Sequence, residues 1–238
     1  MSLQDLNIHK PEDVFNVHAI IYGLSGVGKT SFCAIPGKTL ILDTEGGIAS
    51  VRGRDIDVIS IKKVADLRKI FDTLVQSKEQ ASYEYIVLDS ATELQQMVMA
   101  DIINRAMRDN PTRDTFPTLN DWGKLSDSMR RIFRAFKNLP YHTIVTCLEQ
   151  EVRDESTGIL YKRPELSGKL SGAACAMVDI VGRLASDAQG SRHLLLQPKE
   201  SYVAKNRFAE LTSLEDILVK HDDTFDSVIV KRILETQG

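Results

Sequence analysis

The chain alternates between short apolar runs and segments whose apolar residues recur every three or four positions. Apolar runs of this length predict strands buried on both faces, and the recurring pattern predicts amphipathic helices. The predicted strands are 17–22, 39–43, 57–61, 83–89, 141–148, 180–185 and 193–197. The predicted helices are 29–34, 64–76, 91–108, 125–138 and 171–177, with helical segments over 211–236. This order predicts an α/β fold with a mostly parallel central sheet flanked by helices.

The composition is that of a globular protein with one good-sized core. The chain has 238 residues, 42% hydrophobic and 26% charged, and we expect one large domain over 17–238. Residues 1–16 are polar without a clear period, which indicates an arm that lies on the surface or docks on a neighbouring subunit. With 33 acidic and 30 basic side chains the formal charge is −3. A nucleic acid would therefore have to bind a local basic patch.

Cysteine usage and hydropathy indicate the compartment. Cys33, Cys147 and Cys175 are far apart and form no Cys-x-x-Cys motif, which is typical of reduced thiols in a core. The histidines show no ligand-like spacing, so a structural metal is not expected. No apolar run approaches ~18 residues, and the first residues lack a basic region followed by an apolar one. We expect a cytoplasmic protein without a membrane span.

The first predicted strand leads into Gly23-Leu24-Ser25-Gly26-Val27-Gly28-Lys29-Thr30, which fits the phosphate-binding pattern Gly-x-x-x-x-Gly-Lys-[Ser/Thr]. Backbone N–H groups meet phosphate oxygens there, and glycines let the chain curl tightly enough. We predict that Lys29 contacts the β- and γ-phosphates and that the Thr30 hydroxyl binds Mg²⁺. The other predicted contacts are Gly23, Ser25, Gly26, Val27 and Gly28. The alternative is an ordinary glycine-rich turn, which the buried strand directly before it disfavours.

Two further predicted strands end in acidic residues. Strand 39–43 continues into Asp43-Thr44-Glu45-Gly46-Gly47, and strand 83–89 ends at Asp89. Open α/β sheets bind ligands at the carboxyl ends of their strands, so these carboxylates are candidate site residues. An apolar strand closed by one Asp, downstream of a phosphate loop, is the Walker B pattern. We predict that Asp89 holds a water of the Mg²⁺ shell, although buried strands also end in Asp without such a role.

With these motifs the chain resembles the RecA-like branch of P-loop ATPases. More narrowly, it resembles the compact phage and prophage nucleotide-binding proteins that are linked to single-strand annealing and recombination. The resemblance rests on 23–30, 43–47, 86–90 and Lys205-Asn206-Arg207, which occur in the family's order. It implies a RecA-like core, ATP and Mg²⁺ as ligands, and a phage- or prophage-encoded protein in the cytoplasm of a bacterial host.

The resemblance also implies catalytic roles. In RecA-like ATPases a glutamate after the strand that follows the phosphate loop polarises the attacking water, and here that residue is Glu45. A Lys-x-Arg element reaches the γ-phosphate across a subunit interface, which maps onto Lys205 and Arg207. The alternatives are a surface carboxylate before a Gly-Gly turn and free cations at a strand end. The γ-phosphate sensor, expected at the end of the strand after Walker B, has no clear counterpart among Thr146, Glu149 and Gln150.

Two loops of RecA-like proteins face DNA, and by position they are 108–122 and 150–169 here. The second contains a predicted hairpin that turns at 156–158. Cations in both loops can meet phosphates, and aromatic rings can stack on bases for ~1–3 kcal/mol each. The predicted contacts are Arg108, Arg113, Phe116, Trp122, Arg153, Tyr161, Lys162, Arg163 and Lys169. Acidic residues lie in the same loops, and Lys162 and Arg163 are favoured because no acidic residue adjoins them in sequence.

The predicted function is therefore Mg²⁺-dependent ATP hydrolysis coupled to binding of single-stranded DNA. The expected partners are that DNA, a second copy of the chain at an ATP-bearing interface, and a single-strand-binding protein. One alternative is a small-molecule kinase, which would need an arginine-rich lid, whereas the candidate lid over 153–163 is acidic as well as basic. The other is an annealing scaffold that ATP clamps without appreciable hydrolysis.

Overall fold

The computed structural model describes residues 16–80 and 82–235. The predicted arm lies outside these ranges except for Asn16. The strands are β1 (His18–Gly23), β2 (Thr39–Asp43), β3 (Asp57–Ser60), β4 (Tyr85–Asp89), β5 (His142–Arg153), β6 (Leu160–Pro164), β7 (Ile180–Ser186), β8 (Arg192–Leu195), β9 (Lys205–Asn206) and β10 (Asp216–Val219). The helices are α1 (Lys29–Cys33), α2 (Val64–Gln76), α3 (Ala91–Asp109), α4 (Leu119–Lys137), α5 (Leu170–Met177) and α6 (Lys231–Glu235).

The sheet is mixed, with parallel strands at its centre. Its order is β10-β8-β7-β1-β5-β4-β2-β3, and neighbours from β7 to β3 are parallel. Antiparallel pairing adds β8 and β9 to β7 and β10 to β8, while β6 pairs with the far end of β5. The predicted α/β fold with a mostly parallel, helix-flanked sheet is confirmed. The carboxyl ends of β1, β2, β4 and β5 consequently share one edge.

Alternation along the strands places the core on both faces of the sheet. Ile20 and Tyr22 of β1 pack in the cluster that α2, α3, α4 and α5 cover. Ala19 and Ile21 point to the other face, where α1 and the C-terminal segment cover them. Because the β1 side chains from Ala19 to Tyr22 are buried on one face or the other, this part of the strand is apolar and holds the following turn on a rigid base.

The fourth helix begins six residues earlier than the sequence predicts, at Leu119 rather than at 125. Thr118 and Asp121 form a capping box: the Asp121 carboxylate accepts the Thr118 N–H at 2.8 Å, and the Thr118 hydroxyl accepts the Asp121 N–H at 3.4 Å. Such a box satisfies two N–H groups that a helix start otherwise leaves unpaired. The predicted loop 108–122 is therefore shorter, and Trp122 lies in the first turn of α4.

The prediction of helical segments over 211–236 is wrong for its first part. Residues Asp216–Val219 form β10, antiparallel to β8. Ile217 and Val219 are buried whereas Leu218 is exposed, which is the two-residue alternation of an edge strand with one covered face. Of the residues described after the strand, up to Glu235, the helical ones form a π-helical turn over Asp226–Val230 and α6.

Two findings concern the part of the chain that the structure describes. It contains no helix that is long and apolar enough to cross a membrane. Its three cysteines are free thiols in buried positions, as predicted.

Candidate nucleotide site

The turn between β1 and α1 needs glycine for reasons visible in its geometry. A Cβ at Gly23 would lie 2.1 Å from the carbonyl oxygen of Leu184 on the neighbouring β7, so no side chain fits there. Gly28 has φ 94°, in the left-handed region that L side chains rarely adopt. The loop therefore has the close approach and backbone conformation that a cradle of N–H groups requires.

Lys29 opens α1 and turns its ammonium group back over the loop. Its Nζ donates to the carbonyl oxygens of Gly23 at 3.0 Å and Leu24 at 2.9 Å, and the residue is 8% exposed. Burial lowers the pKa of Lys29, while the negative charges of Glu45 and Asp89 oppose that shift. Further negative charge from a phosphate would act as these carboxylates do and favour the protonated amine.

Thr30 and Asp89 come together as a metal site requires. The Thr30 hydroxyl donates to Asp89 Oδ2 at 2.7 Å, and the buried Asp89 also accepts a hydrogen bond from Thr146 of β5. Hydroxyl and carboxylate oxygens are the ligands that Mg²⁺ takes. These residues fit the ion: Thr30 would bind it directly and Asp89 would hold it through water. Since β5 lies between β1 and β4, Thr146 links the strand of the phosphate loop to that of Asp89.

Glu45 lies beside Asp89, although the two are 44 positions apart in sequence. Its carboxylate accepts a hydrogen bond from the hydroxyl of Ser90, the residue after Asp89. The turn that carries it is held by Asp43, whose Oδ1 accepts the N–H groups of Glu45 at 3.1 Å and Gly46 at 2.8 Å. An exposed carboxylate is thus fixed next to the metal-binding pair, where a general base for an attacking water belongs.

This geometry agrees with the comparison against known families. The family model described as an AAA domain matches residues 16–208. The chain belongs to the AAA domain family. An AAA domain is a nucleotide-binding ATPase domain, so the P-loop assignment stands on the family as well as on the motif. No curated protein matches the chain.

The candidates for the γ-phosphate sensor of this AAA domain lie where β5 stops pairing with β1 and β4. Thr146 reaches Asp89, whereas the Glu149 carboxylate pairs with Arg183 of β7. Sequence reasoning did not single out Arg183, because its contact depends on the pairing of β7 with β1 and on no local motif. Ser90 was also missed, although its position directly after the Walker B aspartate was a usable signal.

Lys205 and Arg207 lie at the opposite ends of the parallel strands from the loop of their own AAA domain. Arg207 pairs with Asp179 at 3.2 Å, directly before β7 begins. The ammonium of Lys205 donates to three carbonyl oxygens at the end of α5, at 2.6–3.2 Å: those of Cys175, Ala176 and Val178. Any contact with a γ-phosphate would therefore be made on a neighbouring subunit, and this role stays a prediction.

The first predicted DNA segment exposes its two aromatic side chains and one of its two predicted cations. Phe116 and Trp122 are 74% and 45% exposed. Arg113 instead pairs with the buried carboxylate of Asp121 and helps to fix the start of α4. Arg108 lies within the last turn of α3. Of the predicted contacts here, the two aromatic rings and Arg108 are exposed to solvent, whereas Arg113 is partly buried.

The second predicted DNA segment forms a hairpin of β5 and β6, as expected from its sequence. Arg153 closes its turn by donating to the Gly158 carbonyl at 3.1 Å. Tyr161, Lys162 and Arg163 lie on β6 and are partly buried. No acidic residue adjoins Lys162 in sequence, but the fold brings two close to it: Glu151 is its cross-strand partner, and Glu149 Oε1 lies 3.9 Å from Lys162 Nζ.

The two predicted DNA segments meet at one cavity. It has a volume of about 470 Å³ and lies between the first turns of α4 and α5. Its lining residues are Trp122, Leu125, Ser126, Ser167, Gly168, Lys169 and Leu170. An exposed aromatic ring from the first segment and an exposed ammonium from the second therefore share one concave surface.

Proposed function

We propose that this AAA domain hydrolyses ATP with Mg²⁺ and acts on single-stranded DNA in phage or prophage recombination, annealing or replication. The observation that supports hydrolysis is the hydrogen bond between Glu45 and Ser90, because it holds a carboxylate beside Asp89 and Thr30. The Ser90 hydroxyl holds the carboxylate in place, and Glu45 supplies the general base for water activation. We also propose that the P-loop core is RecA-like. The position of Glu45, just after the strand that follows the phosphate loop, supports this.

The residues of the chain divide the work between positioning and proton transfer. The loop N–H groups and Lys29 hold the γ-phosphate in line with the attacking water. Phosphoryl transfer needs little from the protein beyond such positioning and charge stabilisation. Mg²⁺, when bound by Thr30 and Asp89, neutralises phosphate charge. Glu45 orients the attacking water and accepts its proton, while Ser90 keeps the carboxylate in place.

Action on single-stranded DNA is supported by the cavity between α4 and α5. The Trp122 ring offers a stacking face for a base, and Lys169 offers a cation for the adjoining phosphate. Stacking does not depend on the base, so this pair suits a strand of any sequence. Phe116 is also exposed, in the loop before α4, and offers a second ring for stacking.

Phosphate release, measured with and without single-stranded DNA, tests the enzymatic part. We expect Mg²⁺-dependent release that DNA increases, and Lys29→Ala should abolish it because no ammonium then meets the phosphates. ATP binding without release would favour the annealing scaffold. Transfer of phosphate to a nucleotide acceptor would favour the kinase. Unchanged turnover in Lys29→Ala would show that the phosphate loop takes no part in hydrolysis.

Binding of a labelled oligonucleotide across a salt titration tests the DNA part. Lys169→Ala should lower affinity and reduce the slope of log K against log salt by roughly 0.7, the value for one phosphate contact on a single strand. Trp122→Ala should lower affinity without changing the slope, because stacking releases no counterion. Lys69→Ala, an exposed lysine on α2, is the matched control. Wild-type affinity and slope in both variants would contradict the assignment.

A further inference from the structure

A largely buried ion pair lies beside the phosphate loop and has no part in the chemistry described above. Arg183 donates to the Glu149 carboxylate through Nε at 2.7 Å and through Nη2 at 3.2 Å. The two side chains are 14% and 4% exposed. With the first half of the loop, Leu24 to Val27, they line a cavity of about 320 Å³. The cavity is therefore bounded by loop backbone on one side and by a fixed cation on the other.

We infer that Arg183 binds the terminal phosphate of the nucleotide held by its own subunit, and that Glu149 is its positioning residue. The inference rests on the proposed nucleotide function and adds a residue that recognises the third phosphate. Two of the five N–H groups of the guanidinium are taken by Glu149, which leaves three for a phosphate.

The end of the loop that Arg183 borders indicates which phosphate it meets. Lys29, which serves the β- and γ-phosphates, places its ammonium on the carbonyl oxygens of Gly23 and Leu24. The cavity of Arg183 is lined by Leu24 and the three residues after it. Both cations thus lie at the start of the loop, away from the first turn of α1. The group held at that end is therefore the γ-phosphate, which ATP has and ADP lacks.

The charge balance of the cluster agrees with this role. A lone Glu149 carboxylate beside the loop would repel phosphate. Arg183 balances that charge, and Lys162 Nζ lies 3.9 Å from Glu149 Oε1, so two cations surround one carboxylate. An arginine held by a carboxylate in this way is ordered before ligand arrives, which reduces the entropy lost on binding.

The test compares binding of a fluorescent non-hydrolysable ATP analogue with binding of fluorescent ADP, without DNA. Arg183→Ala would leave Glu149 buried and unpaired, so the main variant is the double change Glu149→Gln with Arg183→Gln, which buries no charge. Loss of charge-assisted hydrogen bonds should weaken the ATP analogue by roughly 10- to 100-fold and ADP by less than about threefold. Glu149→Gln alone keeps the cation and a carbonyl acceptor for it, and should keep the preference for ATP.

Arg105→Ala is the control for loss of an arginine–carboxylate pair, because Arg105 pairs with Asp101 on α3 at 2.7 Å, outside the cavity. It should bind both nucleotides as the wild type does. An unchanged ATP preference in the double variant would overturn the inference and leave the proposed ATPase intact. An equal loss for both nucleotides, which a merely structural role produces, would overturn it as well. A wild type that binds neither nucleotide would instead refute the proposed function.

Discussion

At the scale of single residues, Glu45 carries the proposed chemistry and can be separated from nucleotide binding. Glu45→Gln keeps the size of the side chain and its ability to accept from Ser90, but it removes the basicity that proton transfer needs. We expect ATP to bind normally and hydrolysis to fall by roughly 10²-fold or more. Single-turnover phosphate release, with binding measured separately, checks this.

Glu93→Gln is the matched control for that prediction. Glu93 is exposed in the first turn of α3, and its backbone N–H, rather than its carboxylate, contacts Ser90 at 3.3 Å. Its variant should hydrolyse ATP at the wild-type rate. If Glu45→Gln does the same, the base lies elsewhere, and Glu149 is the next carboxylate to test.

Gly23 offers a second residue-scale prediction, on stability. A Cβ there would lie 2.1 Å from the Leu184 carbonyl oxygen, and neither backbone can move without disturbing the pairing of β1 with β7. Gly23→Ala should therefore lower the free energy of unfolding by more than about 2 kcal/mol. Gly172→Ala is the control: nothing lies within 4 Å of its Cβ in α5, and alanine should stabilise that helix by up to about 1 kcal/mol. Denaturant unfolding of both variants measures the difference.

The same residues show how far the candidate site could be predicted. Gly23, Lys29 and Thr30 form a short-range motif whose chemistry follows from spacing alone. Ser90 follows the Walker B aspartate directly in sequence, whereas Arg183 enters the site only through the pairing of β7 with β1. A single sequence does not show which distant strands pair or in what register, so a contact such as that of Arg183 could not be predicted.

At the scale of elements, predictions succeeded where one physical signal dominated. The period of α2 and the buried run of β2 gave the observed bounds, Val64–Gln76 and Thr39–Asp43. The start of α4 and the strand β10 were missed because weak local signals competed. The polar residues and the two prolines of 109–123 suggested a loop, although Thr118 and Asp121 cap a helix there. The four residues of β10 are too few to show a period within a segment predicted as helical.

The first residue of β5 makes stability depend on pH. His142 Nδ1 accepts the Val17 N–H at 3.0 Å, and its ring stacks on Tyr85 with centroids 4.9 Å apart. Burial lowers the pKa of His142 from 6.5 to about 4. The unfolded chain therefore takes up a proton first as pH falls, so the contribution of His142 is complete above pH 6.5 and is lost between 6.5 and about 4.

Urea unfolding at several pH values between 7 and 4 measures this loss, which is at most about 3 kcal/mol for one histidine. His142→Asn keeps an acceptor for the Val17 N–H and removes the titration, so its stability should fall less steeply with decreasing pH. A smaller slope from His18 should remain, because burial lowers its pKa too. Equal slopes in the variant and the wild type would contradict the assignment to His142.

At the scale of the whole molecule, the parallel strands separate two sets of candidate residues. The phosphate loop, Glu45 and the ends of the DNA segments gather at the carboxyl ends of the strands. Lys205 and Arg207 lie at the amino end of β7, one on the carbonyls that end α5 and one on Asp179. Because one chain cannot bring these sets together, their cooperation requires a head-to-tail assembly in which the amino ends of one subunit face the loop of the next.

Mixing of two inactive variants tests that assembly. Lys29→Ala lacks the loop cation, and a protein with Lys205→Ala and Arg207→Ala lacks the cations predicted to act in trans. In a random equal mixture, about a quarter of head-to-tail interfaces would join an intact loop to intact cations, so part of the ATPase activity should return. Thermal unfolding of each variant is measured first, since Lys205 also binds carbonyls of α5. No recovery between folded variants, together with light scattering that shows a monomer in ATP and DNA, would mean that Lys205 and Arg207 serve the fold and not catalysis.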